Sequence, residues 1–266
     1  MKLKIYQIDA FTDVVFKGNY AAVIVLTEWL STELMQKIAS ENNLSETAFV
    51  KIIGNNSYQI RWFSPLCEID FCGHATLASA FVLFKEYSQV NKISFFADAV
   101  GEFKVSQNND GLISMIFPSM MPEAIDYIPE TLLAGLSIKP LEVLRNKQAY
   151  FALYDNEQDV VQLQSNSLAL KKLAPFDVVV TSKANINNDY DFVSRYFWPA
   201  NGGDEDPVTG SIHTGLAPLW AQRLNKNTLK AYQASKRGGV LYCNVVNDKV
   251  KISGTAVQYL AGEISL

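Results

Sequence analysis

The chain is poor in the residues that build metal centres and disulfide frameworks: 266 residues carry two histidines and three cysteines. The odd cysteine number and the lack of a C-x-x-C spacing argue against both a disulfide scaffold and a structural zinc site. Positive charge is also scarce. The formal net charge is -4, and a lone Lys236-Arg237 pair is no match for a phosphate backbone, so nucleic acid is excluded as a partner. No apolar run approaches the roughly 18 residues of a membrane span. The alternating start Met1-Lys2-Leu3-Lys4-Ile5-Tyr6 lacks the continuous apolar stretch of a signal peptide, so a cytoplasmic protein without a membrane partner is expected. Phosphate-binding patterns such as G-x-x-x-x-G-K-[ST] and G-x-G-x-x-G are missing, and Gly210-Ser211 is not a G-x-S-x-G nucleophile elbow because the glycine adjoins the serine.

What is present is an ordinary globular composition, 48 % hydrophobic and 19 % charged, in a chain long enough for two cores. Period-2 patterns predict strands over residues 3–8, 22–26, 47–53, 58–63 and 93–97. Ser31 and Thr32 offer an N-cap to a short helix with Leu34, Met35 and Ile38 on one face, ended by Asn42-Asn43. Asn108-Asn109-Asp110-Gly111 predicts a hairpin turn. The prolines at 118, 122 and 129 mark a linker, dividing the chain into domains 1–118 and 119–266, with the final strand free to cross back. Beyond the linker, strands are expected at 149–153, 176–181, 191–197, 240–245 and 249–252, and the Asn-rich stretch 185–188 as a surface loop. The order of elements is a weak internal repeat.

Each half holds one histidine just past a glycine-rich junction that opens an apolar helix: Cys72-Gly73-His74 before residues 77–84, and Thr209-Gly210-Ser211-Ile212-His213 before residues 216–224. A helix start exposes unpaired N–H groups and partial positive charge, so two such starts facing one cleft would hold a carboxylate. Gly73 and Gly210 would let an anion reach the backbone, and Ser211 could donate to it. The helix end is expected to lower the pKa of His74 and leave a neutral imidazole that polarises or protonates a substrate; a packed or capping histidine is the competing reading, more strongly so for His213. Glu46 enters an otherwise apolar strand, where lost hydration suits a carboxyl to take and return a proton, against the alternative of a loop glutamate facing water. Asp206 could cap exposed N–H groups or orient His74 across the cleft. Asp204 and Glu205 read as solvated loop charges.

Three segments, NNLSETAFV (42–50), RWFSPLCEIDFCGHATLASAFVL (61–83) and GGDEDPVTGSIH (202–213), resemble the signatures of the phenazine-biosynthesis PhzF-like isomerase family. That resemblance implies an α+β, diaminopimelate epimerase-like fold of two pseudo-symmetric lobes, each a mixed β-sheet wrapped around a central α-helix, with the site between them. It also implies catalytic roles for Glu46, which shuttles a proton between substrate carbons, and for His74 and Asp206. Gly73, Gly210 and Ser211 would bind a small carboxylate substrate, with no metal or organic cofactor, in a homodimer. Related epimerases and proline racemases use two facing thiols. Cys72 matches the first position but Thr209 stands at the second, and a hydroxyl is too weak an acid to replace a thiolate, which disfavours racemisation. An amino-acid epimerase or racemase and a non-catalytic carboxylate binder are the alternatives. Tyr20 after Gly18-Asn19, and Tyr242-Cys243, depart from the family pattern.

Overall fold

The computed structural model describes every residue except 88 and 186–188, so most of the loop expected at 185–188 lies outside the described residues. The fold is mixed α+β, dominated by strands, and divides into two units. Unit one is Met1–Ile116 with Ser253–Leu266, and unit two is Phe117–Ile252.

In unit one the strand Lys2–Ala10 pairs antiparallel with Asn19–Leu26 and with the last strand, Ala256–Ser265. Asn19–Leu26 runs parallel to Glu46–Gly54, which pairs antiparallel with Ser57–Phe63. Ser57–Phe63 in turn runs parallel to Lys92–Ala97. A parallel neighbour requires a crossover, and helices supply both: α1 (Thr32–Asn42) and α2 (Gly73–Glu86). The signals that predicted α1 act as expected. The Ser31 hydroxyl accepts the Leu34 N–H, and Asn43 ends the helix in the left-handed region at φ 48°. Helix α2 buries ten of its fourteen residues, which explains a run too apolar for a surface helix. The hairpin turn also forms, with the Leu112 N–H donating to Asn108 Oδ1 at 2.8 Å.

Unit two repeats the plan. Glu142–Arg145 pairs antiparallel with Ala149–Leu153, which runs parallel to Asp177–Lys183. That strand pairs antiparallel with Phe192–Trp198, which runs parallel to Thr228–Gln233. Three short helices, α3 (Glu130–Ala134), α4 (Glu157–Gln162) and α5 (Ser167–Leu170), precede Asp177–Lys183. Helix α6 (His213–Leu224) supplies the second crossover and buries eight of its twelve residues. The proline-marked linker is not structureless: Glu123–Ala124 pairs with Leu144 and Arg145. Period-2 patterning had also missed the strands Glu142–Arg145, Gly203–Asp206 and Thr228–Gln233, which are short or bury few large side chains.

Strand register makes the repeat quantitative. Ala21 faces Glu46 as Ala149 faces Asp177, and Thr47 faces Phe63 as Val178 faces Phe197. Trp62 faces Ile69 as Tyr196 faces Asp206. Counting on from that last pair, Cys72 corresponds to Thr209, Gly73 to Gly210, His74 to Ser211 and Thr76 to His213. The two histidines are therefore not counterparts, although both follow a glycine junction. A second detail agrees. Thr76 Oγ1 donates to the Cys72 carbonyl at 2.7 Å, and His213 Nδ1 sits 2.8 Å from the Thr209 carbonyl, the same bond four residues back.

Candidate active site

In unit one the junction between strand and helix gathers titratable groups. Glu46 is the first residue of its strand and His74 the second of α2, and both are buried, with side chains 9 % and 6 % exposed. Glu46 is not the water-facing loop residue of the competing reading. His74 Nε2 lies 2.8 Å from Glu46 Oε2, yet Oε2 has no hydrogen bond of good geometry, so the two atoms are close but off line. Cys72 Sγ is 3.4 Å from His74 Nδ1.

The expectation that the helix start lowers the pKa of His74 is overturned. Burial does oppose the charge, but Cys72 and Glu46 outweigh it and hold the ring well above its usual 6.5. Burial likewise keeps Cys72 a thiol, pushed up to about 11. A neutral thiol carries no charge to share, so the Glu46 carboxylate is the group that raises the His74 pKa. A full charge at contact outweighs the partial charge of a helix end.

Asn19, named in the sequence only as the residue before Tyr20, also belongs to this site. Its amide reaches His74 Nδ1 at 3.1 Å, while Ser45 Oγ meets the amide's other end at 3.1 Å. A serine hydroxyl can donate or accept, so the Asn19 amide can present nitrogen to a neutral ring or oxygen to a protonated one. Gly18 places it there: at φ +63° it lies where a Cβ would meet the Ala10 carbonyl oxygen at 2.1 Å. Glycine followed by a polar residue at a strand start was the available signal.

Glu46, Cys72 and His74 also bring three metal-capable atoms within 4.8 Å of one another. An ion there would have to displace protons from Cys72 and His74, which would tie its affinity to pH.

In unit two, the segment from Asp206 to Ser211 is held by glutamines. Gln233 accepts the Thr209 N–H at 2.9 Å and donates to the Asp206 carbonyl at 2.8 Å. The Thr209 hydroxyl donates to Asp206 Oδ2. Asp206 does not cap α6: the N-cap residue is Ile212, and no side chain caps that end. Cys72 likewise gives α2 no side-chain cap, whereas the first N–H groups of α6, on His213, Thr214 and Gly215, donate to the carbonyls of Gly210, Ser211 and Ile212, so an anion there would have to be met by the approach before residue 213. Gly73 and Gly210 are buried in these starts, and Ser211 is half-buried. Glu205 is not a solvated loop charge. It takes both arms of Arg195 at 2.8 and 2.9 Å, as its counterpart Glu68 takes Arg61 at 2.6 and 2.7 Å.

His213, one turn further on, is fully buried against Phe192, with ring centroids 5.9 Å apart. Burial drives its pKa down to about 4, although the Thr209 carbonyl opposes this. It is a neutral packed ring, as its competing reading held. All three cysteines are free, and among the described residues no helix is long and apolar enough to cross a membrane.

The chain belongs to the phenazine biosynthesis-like protein family, PhzC–PhzF, whose family model matches residues 8–262. It is 45 % identical over its whole length, and the whole of the relative, to a Pseudomonas aeruginosa protein described as an uncharacterized isomerase. It is 44 % identical, again over the whole of both chains, to an uncharacterized isomerase of Halalkalibacterium halodurans. The crystal structure of a PhzF-family protein from Enterococcus faecalis superposes with a TM-score of 0.94 at 44 % identity, covering all of both chains. The protein is an isomerase of this family.

Proposed function

We propose that this isomerase moves a proton between carbons of a small carboxylate substrate without an organic cofactor, with Glu46 as the general acid and base. The observation that carries the reading is the buried contact of Glu46 Oε2 with His74 Nε2 at 2.8 Å. It provides one oxygen free of competing hydrogen bonds and a neighbouring proton store. In this reading Glu46 takes the proton from one carbon and returns it to another, while His74 supplies or stabilises the second proton. Burial keeps bulk water off the reacting carbons, so solvent hydrogen enters through the exchangeable protons of Glu46 and His74. Gly73, Gly210 and Ser211 are assigned to the substrate carboxylate and Asp206 to the catalytic set, on their places in the family's motifs and on the uncapped helix starts they adjoin. Two-thiol racemisation is not favoured, because Cys72 is held as a thiol and Thr209 stands at its counterpart.

The test is solvent deuterium. In heavy water, with a panel of small carboxylates, the wild-type protein should place deuterium at a carbon of its substrate. Glu46→Gln should fold normally and cut that exchange by about a hundredfold or more, the scale of losing a general base. A Glu46→Gln protein exchanging at the wild-type rate removes Glu46 from the chemistry.

A further inference from the structure

Ser211 stands at the end of a polar chain that runs back into unit two. Gln148 Nε2 lies 2.9 Å from Ser211 Oγ and 3.0 Å from Tyr196 Oη. Tyr196 donates to Asp177 Oδ2 at 2.5 Å, and Asn201 donates to the other oxygen at 2.7 Å. Burial pushes the Asp177 pKa up from 3.8, while Tyr196 and Asn201 pull it back, and both of its oxygens stand as acceptors.

Once Asp177 is ionised, every direction in the chain is fixed. A carboxylate only accepts, so the Tyr196 proton is committed to Asp177, and the phenol oxygen must accept from Gln148. The Gln148 atom facing it is then the amide nitrogen, whose second hydrogen goes to Ser211. Ser211 Oγ is thereby an acceptor within the protein, and its own hydrogen is left to point elsewhere. The repeat gives independent support. Asp177 stands at the register position of Glu46, and Ser211 at that of His74. In unit one the acid touches its partner directly, whereas in unit two the link passes through two side chains.

We propose that Asp177, Tyr196 and Gln148 are positioning residues that hold the Ser211 hydroxyl as a hydrogen-bond donor for the substrate carboxylate. The inference rests on the assignment of Ser211 to that carboxylate, and the experiment separates the two. Neutron diffraction from deuterium-exchanged crystals of the wild-type protein should place the two Gln148 amide deuterons on Tyr196 and Ser211, with the Ser211 deuteron turned away from Gln148. Finding Gln148 Oε1 against Ser211, with the serine deuteron on it, overturns the proposal.

Affinities for benzoate, lactate and proline by ligand-observed NMR give the second arm. Ser211→Ala and Gln148→Glu should each weaken the carboxylates that bind by about tenfold at pH 7.5, the scale of a lost hydrogen bond to a charged group. The Gln148→Glu loss should shrink as pH falls, because a protonated glutamic acid regains a donor, which a purely structural defect would not do. Tyr196→Phe, which keeps the ring, should show a smaller loss and replaces Gln148→Glu if that variant does not fold. If Ser211→Ala weakens binding while Gln148→Glu and Tyr196→Phe do not, the positioning role fails alone. If no probe binds the wild type, or Ser211→Ala binds like it, the anion-binding assignment fails and takes the proposal with it.

Discussion

The two units are versions of one scaffold that have kept its framework and exchanged its chemistry. Both retain an arginine gripping a glutamate across adjacent strands, Arg61 with Glu68 and Arg195 with Glu205. Both open their buried helix through a glycine, and both place an acid, Glu46 or Asp177, at the start of the strand that follows the first crossover. The side chains at the helix starts diverge. Unit one has Cys72, His74 and Thr76 where unit two has Thr209, Ser211 and His213. One half thus sets a titratable ring against its acid, and the other presents hydroxyls held by glutamines. The single histidine of unit two is displaced by two residues and packs away as a neutral ring. What the residue types cannot tell, the register does: two histidines in look-alike junctions take opposite electrostatic roles.

The largest expected effect tests that opposition directly. A histidine buried with a pKa of about 4 against about 6.5 in the unfolded chain contributes stability that is complete above pH 6.5 and is lost as pH falls toward 4, about 3 kcal/mol in all. His74 has the reverse sign. Its raised pKa contributes stability that is complete below pH 6.5 and is lost as pH rises through the folded value. With two histidines in the chain, an NMR titration of labelled imidazoles should show one ring neutral down to about pH 4 and the other titrating well above 6.5. His213→Thr installs the residue of the other half. It should be less stable at pH 7 for lack of the ring, but denaturant unfolding should show the acid-sensitive window between pH 6.5 and 4 gone. Two rings titrating together near 6.5 would break the comparison.

A smaller effect isolates the clamp that unit two has and unit one lacks. By register Gln233 corresponds to Ala97, which has no side-chain amide to pin the approach to α2. Gln233→Leu leaves the Thr209 N–H and the Asp206 carbonyl without their partner. It should cost about 2 kcal/mol, the scale of buried polar groups left unsatisfied, as read by the shift of the urea midpoint. An unchanged midpoint would mean that water or a neighbour satisfies both groups.

Much of the local structure was legible because its causes are local. Ser31 and Asn43 cap α1 through bonds to residues three and four away, and Asn108 closes its own turn. The apolar runs in α2 and α6 announced buried helices, and Glu46 was conspicuous as an acid entering an apolar strand. The rest depends on partners distant in the chain. Nothing near residue 74 says that an acid 28 positions earlier will outweigh the helix end, and Gln148 meets Ser211 across 63 residues. Glu205 looked solvated because Arg195 reaches it across a strand pair. The correspondence of His74 with Ser211 needed cross-strand register, which residue patterns specify only where one face is buried.

The smallest effect concerns which neighbour holds the proton on His74. Cys72 and Glu46 both touch the ring, but burial holds the thiol near 11, without charge at neutral pH. Cys72→Ala removes a small buried group and should cost about 1 kcal/mol or less in stability, a modest truncation in a packed interior. The His74 imidazole should still titrate above 6.5 in that variant. In Glu46→Gln the same ring keeps its burial, loses its counter-charge and should titrate below 6.5, since desolvation then acts alone against the cation. The reverse order, with Cys72→Ala lowering the titration and Glu46→Gln sparing it, would make a thiolate the partner of His74. It would then put the unit-one site closer to the two-thiol racemases than to a single-glutamate isomerase.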